Sequence, residues 1–333
     1  MLRELKGNAG KFGFNCSKHP DTFGHHVRTY AVTGENYDLK GFHREANLLL
    51  YLPMMKNLLL ILLAVACYGS AADEKVLRQS LLFYASFDKG VDADVAKGGR
   101  QIYTAASYKD RGDAKPGLHH PDIVVAAGKG RFGAALEFRR KNTKAVYFPA
   151  AGNVNFVNGR WQGTISFWLS LDPEVDLEPG FCDPIQVTAE AYNDAAIWVD
   201  FTKDDKPRHF RLGVFGNLKD WNPQNLASDK NPAFNNRLVI VKQTTFAKGK
   251  WTHVAISHEG LGSGTGGQAT LYLNGVSQGT TEKIPEPFEW DMTRAAIRLG
   301  VNYVGLFDEL TVFSKPLNTD EIQLLYKMKK GLR

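Results

Sequence analysis

Cysteine is nearly absent. Cys16, Cys67 and Cys182 are the only three in 333 residues, too few and too widely spaced for a disulfide framework or for the paired ligands of a zinc site. Long apolar runs are scarce as well. The run from Leu58 to Ala66 reaches only about half of the roughly 30 Å hydrocarbon core at 1.5 Å rise per residue, so a membrane-spanning helix is excluded there. Charge of one sign is also missing: 41 Lys+Arg against 35 Asp+Glu give a net charge of +6. That balance is too weak to steer the chain onto nucleic acid. Helical periodicity is absent except at the C-terminal end. What remains, 43% hydrophobic and 23% charged residues, is the composition of a folded, soluble domain.

The segment from Met54 reads as an export signal. Lys56 supplies the positive start, Leu58 to Ala66 the apolar run, and Gly69, Ser70 and Ala71 the small-residue cleavage zone. A signal peptide is therefore expected over residues 54–71. Residues 1–53 are expected to be a non-native upstream extension or disordered, and residues 72–333 form the mature chain. Removing residues 1–71 lowers the net charge to about +3. Leu63-Ala64-Val65-Ala66-Cys67 also has the shape of a lipoprotein box with an atypical Ala64, so a lipid anchor at Cys67 is the alternative fate. Either route places the protein in the periplasm, at the cell surface or outside the cell, with no membrane-spanning mature form.

The mature chain consists of short β-branched and aromatic runs separated by Gly, Pro, Asn and Asp, the pattern of an all-β sandwich. Strands are expected at 81–87, 134–138, 145–148, 164–171, 195–201, 210–215, 238–241, 251–257, 269–273, 296–299 and 305–313. Period-2 alternation sends Thr252, Val254 and Ile256 toward the core. Asn274-Gly275 tolerates positive φ at both centres of a type I′ turn, so a hairpin closes there. At the C-terminal end Asn318 can cap a helix, Glu321 sits at its third position, and Ile322, Leu325 and Tyr326 share one face. The expected fold is one domain of two packed antiparallel sheets with a short C-terminal helix, and residues 89–130 and 216–236 are expected as loops over it.

Six motifs in order carry a resemblance: Phe83-Tyr84-Ala85-Ser86-Phe87-Asp88, Gly130 to Phe138, Ser166-Phe167-Trp168-Leu169, Trp251 to Ala255, Leu271 to Gly275, and Phe307-Asp308-Glu309-Leu310-Thr311-Val312-Phe313. Together they resemble the laminin-G-like, concanavalin A-like jelly-roll domains of exported bacterial proteins. The resemblance implies a two-sheet jelly-roll sandwich that hosts lectins, adhesins and glycosidases alike. It also implies a Ca2+ site near Asp88 and Asp308. Six to eight oxygens are required, so backbone carbonyls, further acids and water would have to complete it. No His/Cys cluster suggests a transition metal, and the adjacent His119 and His120 would point to opposite sides of an extended chain.

Three groups of residues are candidates for function. Glu174-Val175-Asp176-Leu177-Glu178, run as a strand, would set three carboxylates on one face with its outer members about 6.5–7 Å apart, compatible with retaining glycoside hydrolysis. The segment resembles the active strand of laminarinase-like and agarase-like enzymes, which implies Glu174 as nucleophile, Asp176 as its assistant and Glu178 as acid/base. Pro173 and Pro179-Gly180 bracket it, however, so an acidic loop is the better expectation. Trp221, with Asn222 and Asn225, lies in a polar loop with no hydrophobic period and fits an exposed platform for a sugar ring. Trp168, Trp198 and Trp251 fall inside strand patterns and are expected in the core, and Cys182 as a small buried side chain. Arg111-Gly112-Asp113 spells an integrin-recognition tripeptide but is expected as coincidence. The reading that follows is an exported carbohydrate-binding or surface-adhesion module without catalysis. The glycosidase and a protein-interaction module without a sugar site are its alternatives.

Overall fold

The computed structural model describes residues 74–109 and 111–332; the leader, Cys67 and the upstream extension lie outside the described residues. Two antiparallel sheets stack face to face. Across the first, the order is Val276–Thr280, Gln268–Leu273, Thr252–Leu261, Arg160–Ser170, Gly305–Phe313, Leu81–Ala85 and Val95–Ala96, with Ala135–Phe138 beside Gly305–Phe313 and Ile123–Ala126 beyond it. Across the second, the order is Leu238–Val241, Phe210–Phe215, Ala196–Phe201, Cys182–Thr188, Ala296–Val301, Ala145–Pro149, Tyr103–Ala105 and Lys115–Pro116.

The main core lies between the sheets, where alternate residues of both inner faces meet, as the period of two requires. Phe83 of the first sheet meets Phe148 of the second edge-on, with ring centroids 4.8 Å apart. Phe167 stacks on Phe307 at 5.0 Å. The expected hairpin forms with φ of +50° at Asn274 and +79° at Gly275, and Leu273 pairs Val276 across it. The C-terminal helix, Thr319–Lys327, is capped as its sequence demands: the Asn318 side chain accepts from the Glu321 N–H, and the Glu321 side chain accepts from the Asn318 N–H.

Two expectations are corrected. The strand Cys182–Thr188, absent from the expected set, stands near the middle of the second sheet with Pro184 inside it. The register with Ala196–Phe201 shifts between Cys182 and Ile185, so the proline sits in a bulge, where its missing N–H costs no ladder bond. The stretch 89–130, expected as loop, contributes four short strands at the margins of the sheets, and 216–236 contains the helical turns Leu218–Trp221 and Pro232–Asn235.

The outer faces differ. On the first sheet Thr252, Val254 and Ile256 are buried as expected, but His253, Ala255 and Ser257 are buried too. The C-terminal helix, through Ile322 and Leu325, and Leu77 from the helical residues 74–80 form a second apolar cluster there with Tyr84, Ala255 and Phe313. On the second sheet a third cluster of Ala196, Trp198, Phe215, Trp221 and Phe234 covers one end. Elsewhere on that face Tyr108 covers the buried Arg298, and pockets open on either side.

Candidate functional site

Alternation along Ala196–Phe201 sends Ile197, Val199 and Phe201 into the core and Trp198 and Asp200 outward. Register sets Gln186 and Gly213 on either side of Trp198, and Arg211 opposite Asp200. These outward side chains floor a pocket of about 680 Å³ that is also lined by Asp183, Phe181 and Tyr192. The indole of Trp198 lies flat over Gly213, where a Cβ would come 2.2 Å from Cζ2, and its Nε1 donates to the Tyr192 carbonyl at 2.6 Å. Any larger residue at Gly213 would lift the floor. Phe181 and Tyr192 form the rim, each 42% exposed.

The polar groups of the floor are held in place by one another. Arg211 Nε donates to Asp200 Oδ1 at 2.8 Å and Nη2 to Oδ2, a bidentate pair. The guanidinium lies 5.1 Å from the Phe181 ring and 5.6 Å from Trp198. Gln186 Nε2 donates to Asp183 Oδ2 at 2.5 Å. Burial, reinforced by the charge of Asp200, pushes the Asp183 carboxyl up to about 8. Asp200 is lifted by burial as well, against the opposing charge and hydrogen bonds of Arg211. The pocket thus presents a carboxylic acid, an ion pair, an amide and two exposed rings. That set suits a ligand with many hydroxyls and one apolar face.

The residues singled out in the sequence lie elsewhere. Trp221 is 6% exposed, not a platform. The helical turn Leu218–Trp221 points it inward onto Phe215, with centroids 5.1 Å apart, and Nε1 donates to the Asn193 carbonyl at 2.9 Å. A polar neighbourhood in sequence did not keep a large indole in water, because Phe234 and Arg237 close over it. Asn222 exchanges hydrogen bonds with the backbone of Leu226 and closes its own loop. Asn225 is exposed at the turn, with φ of +48°. The shared strand face of Glu174, Asp176 and Glu178 does not form, because the segment is a turn. Glu174 Oε1 accepts from the Arg208 N–H at 2.6 Å, Asp176 Oδ2 from the Asp172 N–H at 2.8 Å and Glu178 Oε1 from the Lys141 N–H at 2.9 Å. Glu174 and Glu178 thus tie the turn to two other segments, and Asp176 closes the turn on itself. Trp198, expected in the core, is buried on the outer face instead. Cys182 is buried as expected, and desolvation pushes its thiol up to about 11.

Asp88 and Asp308 do come together, on either side of one turn. Asp88 Oδ1 accepts from the Ala134 N–H and Asp308 Oδ2 from the Arg131 N–H, both at 2.6 Å. A Cβ at Gly133 would fall 2.1 Å from Asp88 Oδ1 and one at Gly130 2.8 Å from Asp308 Oδ2, so both glycines are there for close approach. The neighbours Phe87 and Glu309 adopt φ of +58° and +55°, a strained conformation for non-glycine residues. The register with Arg160–Ser170 shifts between Asp308 and Thr311. This bulge turns both Asp308 and Glu309 away from the core that holds Phe307 and Leu310. Burial pushes Asp308 up to about 7; burial and then the charge of Asp308 push Glu309 up to about 8. Among the described residues no group of three or more His, Cys, Asp or Glu converges as metal ligands.

Sequence reasoning missed Phe181, Asp183, Gln186 and Tyr192, which flank or belong to a strand absent from the expected set. The available signal was Ile185-x-Val187-x-Ala189, an alternation that leaves Gln186 and Thr188 outward.

Residues 140–323 match the family model of the concanavalin A-like lectin/glucanases superfamily. Among solved structures, domain 4 of an extracellular arabinanase from Geobacillus stearothermophilus, solved with arabinotriose, is similar at 18% identity and a TM-score of 0.47, covering 74% of this chain and 98% of that one. The ligand-binding domain of botulinum neurotoxin serotype D, solved with N-acetylneuraminic acid, is similar at 11% identity and a TM-score of 0.49, covering 77% and 52%. A single-residue variant of the HCR/D domain is similar at 10% identity and a TM-score of 0.50, covering 76% and 53%. The match spans about half of each of these last two chains. Such likenesses are of fold. No curated protein matches the chain.

Proposed function

The chain belongs to the concanavalin A-like lectin/glucanases superfamily, and on that premise we propose that it is an exported, non-catalytic sugar-binding module whose ligand seats in the pocket on the outer face of the second sheet. One observation carries this reading. Among the described residues, Phe181 and Tyr192 are the two aromatic side chains in the set of large exposed hydrophobics, and both line the pocket that holds Asp183, Gln186, Asp200 and Arg211. Apolar surface left in water beside fixed polar groups gains free energy when a ligand covers it. A pyranose ring would stack on the rim while its hydroxyls pair with the Asp183 acid, the Gln186 amide and the Arg211–Asp200 pair.

Titration of the protein with a panel of neutral oligosaccharides, followed by calorimetry, tests the reading. Tyr192→Ala and Phe181→Ala should each weaken binding without lowering the melting temperature. Sugar binding untouched by either substitution would move the site elsewhere. Absence of any sugar binding would favour a protein partner on the same surface. Release of reducing ends from the oligosaccharides would overturn the non-catalytic reading.

We also propose calcium at the turn 130–134, with Asp88 and Asp308 as its carboxylate ligands. The supporting observation is that both acids converge on one turn beside the strained residues Phe87 and Glu309, where burial pushes Asp308 up to about 7 against the charge of Arg131. A bound divalent cation would favour the ionised form. The remaining oxygens would come from backbone carbonyls and water. A ligand bound only to the native state raises the melting temperature, so a scan with and without chelator decides it; equal melting points at saturating calcium would remove the ion.

A further inference from the structure

The outer face of the second sheet carries a second pocket. Register pairs Tyr103 with Tyr147, Tyr147 with Arg298, Arg298 with Gln186 and Gln186 with Trp198, so one rung of side chains crosses five adjacent strands. At about 4.8 Å between strands, Tyr147 and Trp198 stand roughly 14 Å apart along it. Between them Arg298 is buried beneath the Tyr108 ring, 4.6 Å from its centroid, and the Tyr108 hydroxyl donates to the Val146 carbonyl at 3.0 Å. This ridge separates the rung into two compartments. Beyond it lies a cavity of about 460 Å³ lined by Tyr103, Tyr147, Lys109, Arg111 and Arg294.

The chemistry of this compartment is opposite to that of the first. The Tyr103 and Tyr147 rings stack with centroids 5.7 Å apart. The Arg111 guanidinium lies 5.7 Å from the Tyr147 centroid and is oriented by backbone: Nη1 donates to the Arg294 carbonyl at 2.6 Å and Nη2 to that of Ala189 at 3.5 Å. Among the described residues, the carboxylates nearest this compartment have hydrogen-bond or ion-pair partners of their own. Glu190 pairs with Arg294 at 3.1 Å, Asp291 accepts from the N–H and hydroxyl of Thr293, and both Asp113 oxygens accept from the Ala106 N–H at 3.2 Å. Within the Arg111-Gly112-Asp113 tripeptide, Arg111 is turned onto the sheet, while Gly112 and Asp113 are exposed. Among the described residues no ion pair joins Lys109 or Arg111 to a carboxylate. A guanidinium held by carbonyls beside a lysine and a stacked aromatic pair fits a planar or tetrahedral anion attached to a ring.

We propose that this compartment is a second binding site, one that takes a carboxylate or sulfate group carried on a sugar, with the anion between Arg111 and Lys109 and the ring against the two tyrosines. The site stands apart from the neutral-sugar pocket and does not require it. The two anion chemistries are separated by probing with methyl glucuronide and with a methyl glucoside sulfate ester, against methyl glucoside and sodium sulfate as controls, all by calorimetry. At least one anionic sugar should bind more than tenfold tighter than methyl glucoside and than sodium sulfate. Arg111→Gln should lower that affinity at least tenfold. Arg111→Lys, which keeps the charge but not the fork, should lower it less. Tyr192→Ala should leave it unchanged. Equal binding of charged and neutral methyl glycosides, indifference to Arg111→Gln, or loss of both ligand classes in Tyr192→Ala would each overturn the second site. Sodium sulfate binding as tightly as the anionic sugars would reduce it to an anion site with no sugar component, which also overturns the proposal. Binding of an anionic sugar with no binding of neutral oligosaccharides would instead sink the function proposed above and leave this site standing.

Discussion

The two outer faces of the sandwich are built from the same parts and end differently. The first sheet presents Trp168 with the Arg131 guanidinium 4.7 Å away and the buried acids Asp308 and Glu309 beside it. The second presents Trp198 with Arg211 at 5.6 Å and the buried acids Asp183 and Asp200. On the first, the chain supplies its own cover: Tyr326 of the C-terminal helix stacks on Trp168 at 5.9 Å, and Tyr84 donates to Glu309 Oε2 at 2.8 Å. On the second, the rings of Phe181 and Tyr192 remain exposed. An outer face closed by its own chain contributes stability, whereas one left open is available for binding.

The largest test of this contrast removes the cover. Ile322→Ala, at a fully buried position, should cost about 2–5 kcal/mol in urea unfolding and leave sugar affinity at the second sheet untouched. Changing the open face from below comes next. Gly213→Ala places a Cβ against the Trp198 indole, so it should cost roughly 1–3 kcal/mol of stability and weaken sugar binding together.

The pH dependence distinguishes the faces by variant. Asp183, Asp308 and Glu309 hold their protons up to about 8, 7 and 8, well above their ordinary values. The native state therefore binds more protons than the unfolded chain through this window, and stability falls as pH rises until it passes the folded values. Burial holds His253 and His258 down to about 3, which removes stability as pH falls below about 6.5. Between pH 6.5 and 8 the carboxyls act alone, so melting temperature should decline across that interval. Asp183→Asn and Glu309→Gln should each flatten the decline, one on the open face and one on the covered face. A rising melting temperature there would contradict the assignment.

Smaller effects fall on the rim and beyond. Tyr192→Ala and Phe181→Ala should each weaken sugar binding by about 0.5–1.5 kcal/mol, up to roughly tenfold in affinity, with little change in melting temperature. Glu174→Gln keeps an acceptor for the Arg208 N–H and should shift stability by less than about 0.5 kcal/mol, with no effect on binding.

Much of the frame was legible in the residues. Asn274-Gly275 imposed a hairpin, the Asn318/Glu321 pair imposed a helix start, and alternation marked most of the long strands, because each of these signals acts within a few residues. The strand Cys182–Thr188 was obscured by Pro184, whose bulge is visible only against a partner strand. Trp221 and Tyr192 were the harder case. Both sit among polar neighbours, yet one is buried under Phe234 and Arg237 and the other stays at the rim, an outcome set by contacts that local pattern does not contain.

The sequence by itself determined which side chains share a face: a period of two fixes Trp198 with Asp200, and Trp168 with Ser166, whatever lies above them. Only the tertiary structure decided which face is covered. The helix that closes the first sheet lies at 319–327, more than 150 residues beyond Trp168. Burial is a property of what packs from elsewhere in the chain, not of the strand that presents the residue.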